Sequence, residues 1–133
     1  MGVCSSAANS DGTFHQLRPL SKLKGVKTLY SFDLKSATDR VPASECAVLL
    51  EKLRGADVAL SWTSLLYRPF VIPASFRDRV EPKVDEVVFT TGTPLGSLSS
   101  WGVFALWHHL LVQQAAYHAN KKLRWFANYA ILG

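Results

Sequence analysis

Two aspartates six residues apart are the first side chains in this sequence that could do chemistry. Asp33 follows an alternating apolar run, and Asp39 lies in the turn before a proline that could open a helix. The end of a strand projects side chains into a cleft, and a hard cation such as Mg²⁺ prefers carboxylate oxygens there. The same spacing is typical of a surface aspartate followed by a turn aspartate, so metal binding and an ordinary turn both stay open.

A loop rich in glycine and serine, Gly92–Ser100, is the second candidate. Two glycines and three serines ahead of a helix can bring backbone N–H groups close to a phosphate or a ribose. Gly96, Ser99 and Ser100 would take part together with Gly92. No Lys-Ser or Lys-Thr follows the glycines, so the loop is not a P-loop. Its glycines also lack the Gly-x-Gly-x-x-Gly spacing of a dinucleotide motif. Taken alone, it is typical of an ordinary connection.

The histidines and cysteines carry no metal or nucleophile signature. His108 and His109 point about 100° apart on a helix, so they cannot easily share one metal ion. His108 also lies on an apolar face, which indicates a core position. Cys4 and Cys46 form no Cys-x-x-Cys pair, so neither a disulfide scaffold nor a cysteine-rich zinc site is supported.

The elements that must position these residues mix strands and helices. Residues of alternating polarity precede Asp33, which predicts a strand, and Pro42 and Gly55 bound an apolar stripe of helical spacing. In chain order the pattern predicts a strand at 26–32, a helix up to Gly55, a helix at 57–67, strands at 70–72 and 86–91, a long helix from Trp101 through Ala115 and a strand at 125–132. We therefore expect an α+β fold with a small antiparallel sheet packed on helices.

Composition and charge limit the function classes. The 133 residues are 48% hydrophobic and 19% charged, which excludes a disordered tail. We expect no secretory signal, because residues 1–16 lack a basic start and an apolar run. We also expect no membrane partner, because the most apolar stretch is far shorter than the about 20 residues of a membrane span. The net charge of +5 is uneven, since no acid follows Glu86. This favours contact with a polyanion, although solvated basic faces explain it equally simply.

In combination, these segments resemble the RNA-dependent RNA polymerases of mitoviruses, which are capsidless RNA viruses of mitochondria. Residues 11–20 resemble the stretch ahead of the polymerase palm, and 33–40 resemble motif A. Residues 92–101 with 104–109 resemble motif B, and 126–133 resemble the entry to motif C. The resemblance is strongest to mitovirus-derived reading frames of plant mitochondrial genomes. Reverse transcriptases and intron maturases share the palm, but Ser-Ser-Trp after the motif B glycines favours the RNA virus lineage.

The resemblance implies a role for each matching residue. Asp33 would ligate catalytic Mg²⁺, and Asp39 would recognise the ribose 2′-hydroxyl of the incoming nucleotide. Gly92, Gly96, Ser99 and Ser100 would position template and nucleotide, so RNA and nucleoside triphosphates are the expected partners. The expected location is the mitochondrion. The expected organisation is a loose segment at 1–10 and a partial palm at 11–133.

One departure from the family pattern bears on activity. Motif C of these polymerases is Gly-Asp-Asp, and the sequence reaches only Gly133. Two-metal phosphoryl transfer needs ions about 4 Å apart, which Asp33 alone cannot hold. We therefore expect a palm truncated at motif C and without polymerase activity of its own. The alternatives are an RNA-binding module and one subunit of a split polymerase, whose missing carboxylates come from another chain.

Overall fold

The computed structural model describes residues 17–79, 81 and 83–132. The loose segment predicted at 1–10, the start of the resemblance at 11–16 and Gly133 lie outside the described residues. The described chain divides into two compact units. One contains residues 17–34 and 104–132, and the other contains Lys35–Val103. We call the first the basic unit, because its described residues contain seven Lys and Arg residues and one acid. We call the second the motif unit, because it contains most of the segments that resemble motifs A and B.

Helices dominate the described residues. In chain order they are α1 (Leu17–Leu20) with a following 3-10 turn (Ser21–Leu23), α2 (Ala37–Arg40), α3 (Ala43–Arg54), α4 (Ala56–Leu66), α5 (Ala74–Arg77) and α6 (Leu98–Ala119). The strands are β1 (Phe70–Val71) and β2 (Glu86–Val87). This composition confirms the expected α+β class.

Helices α3 and α4 form the core of the motif unit. Pro42 precedes α3 and Gly55 separates it from α4, as predicted from the sequence. The two helices pack against each other. The buried residues of these two helices are Ala43, Cys46, Ala59, Trp62 and Leu66.

The sheet is antiparallel and short. Phe70 pairs with Val87 and Val71 with Glu86. A further backbone hydrogen bond joins the N–H of Ile72 to the carbonyl of Asp85 (2.8 Å). The strands predicted at 70–72 and 86–91 are therefore confirmed, in shorter form.

The strand predicted at 26–32 is wrong, because these residues take an irregular conformation. Tyr30 is 82% exposed and Phe32 is 87% exposed, so the alternating side chains pack on neither face. A strand is held by hydrogen bonds to a neighbouring strand, and the sheet of the described residues contains only β1 and β2. Side chains of alternating polarity identify a segment that could form a strand. They do not show that a neighbouring strand is present to pair with it.

The strand predicted at 125–132 is also wrong, apart from an isolated bridge at Ile131. Side chains of α6 hold this segment instead. The Gln113 amide donates from Nε2 to the carbonyl of Phe126 (2.7 Å), and its Oε1 accepts from the Phe126 N–H (2.9 Å). At Phe126, the backbone hydrogen bonds that a neighbouring strand would provide thus come from the Gln113 side chain.

Cys46 is a free, buried thiol in α3, with 1% of the residue exposed. Burial raises the pKa of the Cys46 thiol from 9.0 to about 11, and the Glu45 carboxylate adds to the effect. Since the folded state favours the protonated thiol, this group stabilises the fold fully below pH 9.0. The contribution is lost as the pH rises through about 11.

In a Cys4→Ser variant, we expect iodoacetamide to label Cys46 at least tenfold more slowly at pH 8 in the folded chain than in urea, because the thiolate is the reactive form. Mass spectrometry of timed samples measures the rate. Labelling in urea gives the reference for the unfolded thiol. Equal rates in the two states would contradict the buried environment of Cys46.

Candidate functional site

Asp39 lies on a single helical turn, α2, that follows Ser36. Ser36 has left-handed backbone angles (φ 53°, ψ 47°), which are uncommon for a residue with a side chain. The N–H groups of Asp39 and Arg40 both donate to the Ser36 carbonyl at 3.1 Å. The backbone of this turn is therefore fixed, while the Asp39 side chain is exposed to solvent.

Gly92 packs directly on that turn. A Cβ at this position would lie 2.6 Å from both Cα and the carbonyl carbon of Asp39, and it would also overlap the carbonyl oxygen of Thr38. Only glycine permits so close an approach of two backbones. The Thr93 N–H then donates to the Thr38 carbonyl at 2.8 Å.

A second backbone contact lies on the other side of Gly92. The Ala43 N–H, at the start of α3, donates to the Thr91 carbonyl at 2.8 Å. The Thr91 carbonyl and the Thr93 N–H, on either side of Gly92, thus bond the loop to the segment 38–43. Two stretches about 50 positions apart in the sequence form one backbone-bonded structure.

The rest of the loop, around Gly96, projects into solvent. Gly96 has a φ of +89°, a left-handed conformation that favours glycine. Leu95 is 86% exposed and Leu98 is 99% exposed. The loop is thus held at Gly92 and Thr93 and is open around Gly96, which suits a segment that contacts a ligand.

Ser99 and Ser100 lie in the first turn of α6 and differ in environment. The Ser99 hydroxyl accepts a hydrogen bond from the Trp62 indole (3.0 Å), which connects the start of α6 to α4. Ser100 is 3% exposed, and its hydroxyl has no hydrogen-bond partner within the part of the chain that the structure describes. Trp62 is buried, with 7% exposed, and no feature of the sequence predicts its bond to Ser99.

Asp33 is an exposed residue of the basic unit, whereas Asp39 and Gly92–Ser100 belong to the motif unit. Among residues 17–79, 81 and 83–132, no three His, Cys, Asp or Glu side chains are grouped to hold a metal ion. Mg²⁺ is usually bound by one or two carboxylates together with substrate phosphates.

The histidine pair of α6 is arranged differently from the prediction. His109 is the more deeply buried of the two, with 5% exposed, whereas His108 is half-buried. Nδ1 of His109 lies 2.7 Å from the hydroxyl oxygen of Tyr129. Phe104 and Ala105 of the predicted apolar face are buried, but one turn later His109 is buried in place of His108. Polar atoms of His109, Gln113 and Tyr129 bond to one another at this point.

Burial also shifts the titration of this group of side chains. It lowers the pKa of His108 below 6.5, which favours the neutral imidazole. It raises the pKa of Tyr129 above 10.0, although the hydrogen bond from Gln113 opposes the rise. Burial thus favours the uncharged form of both side chains.

Comparison with known sequences gives the class of protein. The chain belongs to the mitovirus RNA-dependent RNA polymerase family, whose sequence profile matches residues 6–133. The resemblance to this family is thereby confirmed. No solved structure matches the chain.

Three relatives show how the chain relates to longer proteins. Two uncharacterized mitochondrial proteins of Arabidopsis thaliana are 37% and 38% identical over 123 and 126 residues, which is 92% of this chain in both cases. These matches cover 59% and 49% of the two relatives. The RNA-directed RNA polymerase of Cryphonectria parasitica mitovirus 1 is 34% identical over 94% of this chain and 15% of its own length.

The chain therefore spans about half the length of the plant relatives that it matches. Both are mitochondrial proteins, which confirms the expected location. The viral relative is an RNA-directed RNA polymerase, which agrees with the family to which the chain belongs. No helix in the described parts of the chain has the length and apolar character needed to cross a membrane.

Proposed function

We propose that this chain contributes the nucleotide-binding part of a template-directed RNA polymerase palm, formed by motifs A and B. The observation that most directly supports this proposal is the close contact of Gly92 with the backbone of Thr38 and Asp39. It holds the exposed Asp39 carboxylate next to the loop that is open around Gly96. A carboxylate and a glycine-rich loop in one structure can bind a ribose and a phosphate together.

Within this proposal, Asp39 accepts a hydrogen bond from the 2′-hydroxyl of the ribose, the group by which RNA differs from DNA. Gly96 lets the loop backbone approach template and nucleotide. Ser99 supports this loop through Trp62, and the buried Ser100 hydroxyl offers a polar atom near its base. Exposure of Asp39 and of the loop supports these roles.

The family implies divalent metal ions, and Asp33 is the proposed Mg²⁺ ligand. The described carboxylates do not form a metal cluster, and the 133 residues contain no Asp-Asp pair. Losing one preorganised electrostatic contact costs about 3 kcal/mol in a transition state, and losing a ligand set costs more. We therefore propose that this chain, by itself, binds RNA and nucleotides but does not join them.

Primer extension tests the proposed lack of activity. A primed RNA template, four nucleoside triphosphates and Mg²⁺ are incubated with the whole chain, and the products are separated on a gel. We expect no extension. Mg²⁺-dependent extension that Asp33→Ala abolishes, and that the exposed control Asp78→Ala retains, would overturn the proposal.

Nucleotide binding tests the proposed role of Asp39 separately. A hydrogen bond to a charged group contributes about 1.5 kcal/mol or more, so we expect the chain to bind ATP roughly tenfold more tightly than dATP. Asp39→Ala should reduce this ratio toward one, and Asp78→Ala should leave it unchanged. Calorimetric titration measures both affinities. A ratio that does not change in Asp39→Ala would contradict the proposed role.

The second candidate is one subunit of a split polymerase, which the absence of an Asp-Asp pair favours. A second polypeptide carrying motif C would then supply the missing carboxylates. Primer extension that appears only when such a polypeptide is added would support this candidate. Continued inactivity of the mixture would favour the nucleotide-binding fragment alone.

A further inference from the structure

The positive charge of the chain is concentrated in one of its two compact units. The motif unit contains eight basic and eight acidic residues and is therefore neutral, whereas the described residues of the basic unit contain a single acid, Asp33. No acidic residue follows Glu86 in the sequence. The basic unit is therefore the part of the chain that would attract an acidic partner.

A groove of about 460 Å³ lies in the basic unit, between the last turns of α6 and the segment that follows the helix. Leucine and aromatic side chains form most of its lining, namely Leu110, Tyr117, Leu123, Trp125 and Phe126. Leu110 is 45% exposed and Trp125 is 41% exposed. The groove therefore offers accessible apolar surface to a ligand.

The aromatic rings of the groove are partly covered by the protein itself. Phe126 stacks on Tyr129, with ring centroids 5.7 Å apart, and Nζ of Lys121 lies 4.5 Å from the centroid of the Tyr117 ring. The rings of Phe126 and Tyr117 thus each have one face occupied. Together with the two leucines, their remaining surface suits the burial of a leucine or phenylalanine side chain.

The cations near the groove lie at one of its ends. The turn after α6 carries Lys121, Lys122 and Arg124, all exposed, whereas α6 itself contains no Lys or Arg. Asn120 orders this turn, because its side-chain oxygen accepts from the Lys122 N–H (3.1 Å) and its carbonyl accepts from the Leu123 N–H (2.9 Å). Three full charges exceed the about half negative charge that the end of a helix carries.

The wall of the groove is fixed before a ligand binds. Gln113 bonds to both backbone groups of Phe126, at 2.7 and 2.9 Å. Binding therefore does not have to order the segment that carries Trp125 and Arg124. Trp, Tyr and Arg are the residue types that contribute most to binding at protein interfaces, and Trp125, Tyr117 and Arg124 all line this groove.

We propose that this groove binds an acidic segment of a partner protein, a peptide with a leucine or phenylalanine next to a run of carboxylates. The apolar side chain packs against Leu110 and Trp125. The carboxylates pair with the three cations of the turn, Lys121, Lys122 and Arg124. The proposal does not depend on nucleotide binding by motifs A and B, because its residues all lie in the basic unit.

The separation of apolar surface from charge favours a peptide over a nucleic acid. From Leu110 to Ala119, the end of α6, the helix rises by about 14 Å, and an extended peptide of about four residues covers this length. Such a peptide can carry its apolar side chain at one end and its carboxylates at the other. A nucleic acid carries a phosphate on every nucleotide, so it would also place negative charge along the uncharged part of the groove.

Fluorescence anisotropy of a labelled peptide of about twelve residues tests the site on the whole chain. The peptide contains a leucine and a phenylalanine followed by three glutamates. One control peptide has glutamines in place of the glutamates, and a second has serines in place of the leucine and phenylalanine. Each control should bind roughly tenfold more weakly, because it lacks either the ion pairs or the buried apolar side chain.

Variants of the chain locate the binding site. Trp125→Ala should weaken binding of the glutamate peptide about 30-fold, as expected for a tryptophan at the centre of an interface. Trp125→Phe keeps an aromatic ring and should retain most of the affinity. Arg124→Gln removes one exposed ion pair and should cost about two- to fivefold.

The matched control variants lie in the motif unit. Phe76→Ala removes an aromatic residue that is 52% exposed, and Arg68→Gln removes an exposed cation. Neither should change the affinity for the glutamate peptide. Raising the salt from about 0.1 to about 1 M shortens the Debye length from about 10 to about 3 Å, so it should weaken binding of the glutamate peptide but not of the glutamine peptide.

Three results would overturn the proposal. The first is equal affinity of the glutamate peptide for Trp125→Ala and the unaltered chain, and the second is equal affinity of the glutamate and glutamine peptides. The third is another occupant of the groove. It would be seen as an RNA of about twelve nucleotides that loses more affinity than the peptide in Trp125→Ala, or as self-association of the chain that this variant abolishes.

Circular dichroism of each variant shows whether it is folded. If Trp125→Ala unfolds, the exposed Arg124 keeps the test decisive. Arg124→Gln should weaken binding of the glutamate peptide and leave binding of the glutamine peptide unchanged. An equal effect on the two peptides would contradict the proposed pairing of carboxylates with this end of the groove.

Discussion

Replacing Gly92 with alanine should destabilise the motif unit by about 3 kcal/mol, the upper part of the usual range for overpacking. The new Cβ would lie 2.6 Å from two backbone atoms of Asp39, whereas carbon atoms in contact prefer about 3.5–4.0 Å. Backbone atoms cannot rotate away as a flexible side chain does. The hydrogen bond from Thr93 to Thr38 should therefore break, and Asp39 should move.

Urea unfolding gives the loss of stability, and exchange of the Thr93 amide hydrogen gives the local effect. Gly102→Ala is the matched control, because a Cβ there meets nothing within 4 Å and the residue lies inside α6. Alanine is favoured over glycine in a helix by about 0.5–1 kcal/mol, so this control should stabilise the chain. Unchanged protection of Thr93 in Gly92→Ala would contradict the close contact between motifs A and B.

The second large effect is expected for Gln113→Glu. The replacement removes the donor to the Phe126 carbonyl and places a negative charge 2.7 Å from that oxygen. It also removes the donor to the Tyr129 hydroxyl at 3.3 Å. An unpaired polar group costs about 1–3 kcal/mol, and charge adds to the cost, so we expect a loss of about 3 kcal/mol and release of the segment at 125–129.

Gln114→Glu introduces the same charge at the next, exposed position and should change stability by less than about 0.5 kcal/mol. Hydrogen exchange at Phe126, whose N–H is bonded to Gln113, separates release of the segment from general unfolding. We expect this amide to lose its protection in Gln113→Glu alone. Similar exchange in both variants would show that another contact holds the segment.

The two helices α3 and α4 could be predicted because their signals are local. Pro42 and Gly55 stand at the ends of α3, and the spacing of Cys46, Leu49 and Leu50 fits one helical face. Each of these features acts within a few residues of its own position. Chain neighbours alone therefore determine where such helices begin and end.

The predicted strands failed because pairing depends on residues far away in the sequence. Alternation at 26–32 is present, but the described residues provide no neighbouring strand for it. At 125–132, a glutamine twelve or more positions upstream satisfies the Phe126 backbone instead. A pattern of side chains cannot reveal either outcome, since both depend on which partner is available.

The contacts among the candidate site residues could not be predicted from the sequence. Motifs A and B name Asp39 and Gly92, and nothing in either motif states that one backbone packs on the other. The bond between Trp62 and Ser99 joins residues 37 positions apart and has no local signal. The same is true of the shift in burial from His108 to His109, which follows from Tyr129.

The exposed segment at 28–32 has a practical consequence. It contains Leu29, Tyr30 and Phe32, which are 61%, 82% and 87% exposed, and it has neither a charge nor a proline. Short uncharged stretches of this kind assemble readily into intermolecular β-structure. Solubility, rather than unfolding, should therefore limit the concentration at which this chain can be handled. A lysine in place of Tyr30 should raise that limit without disturbing a packed side chain.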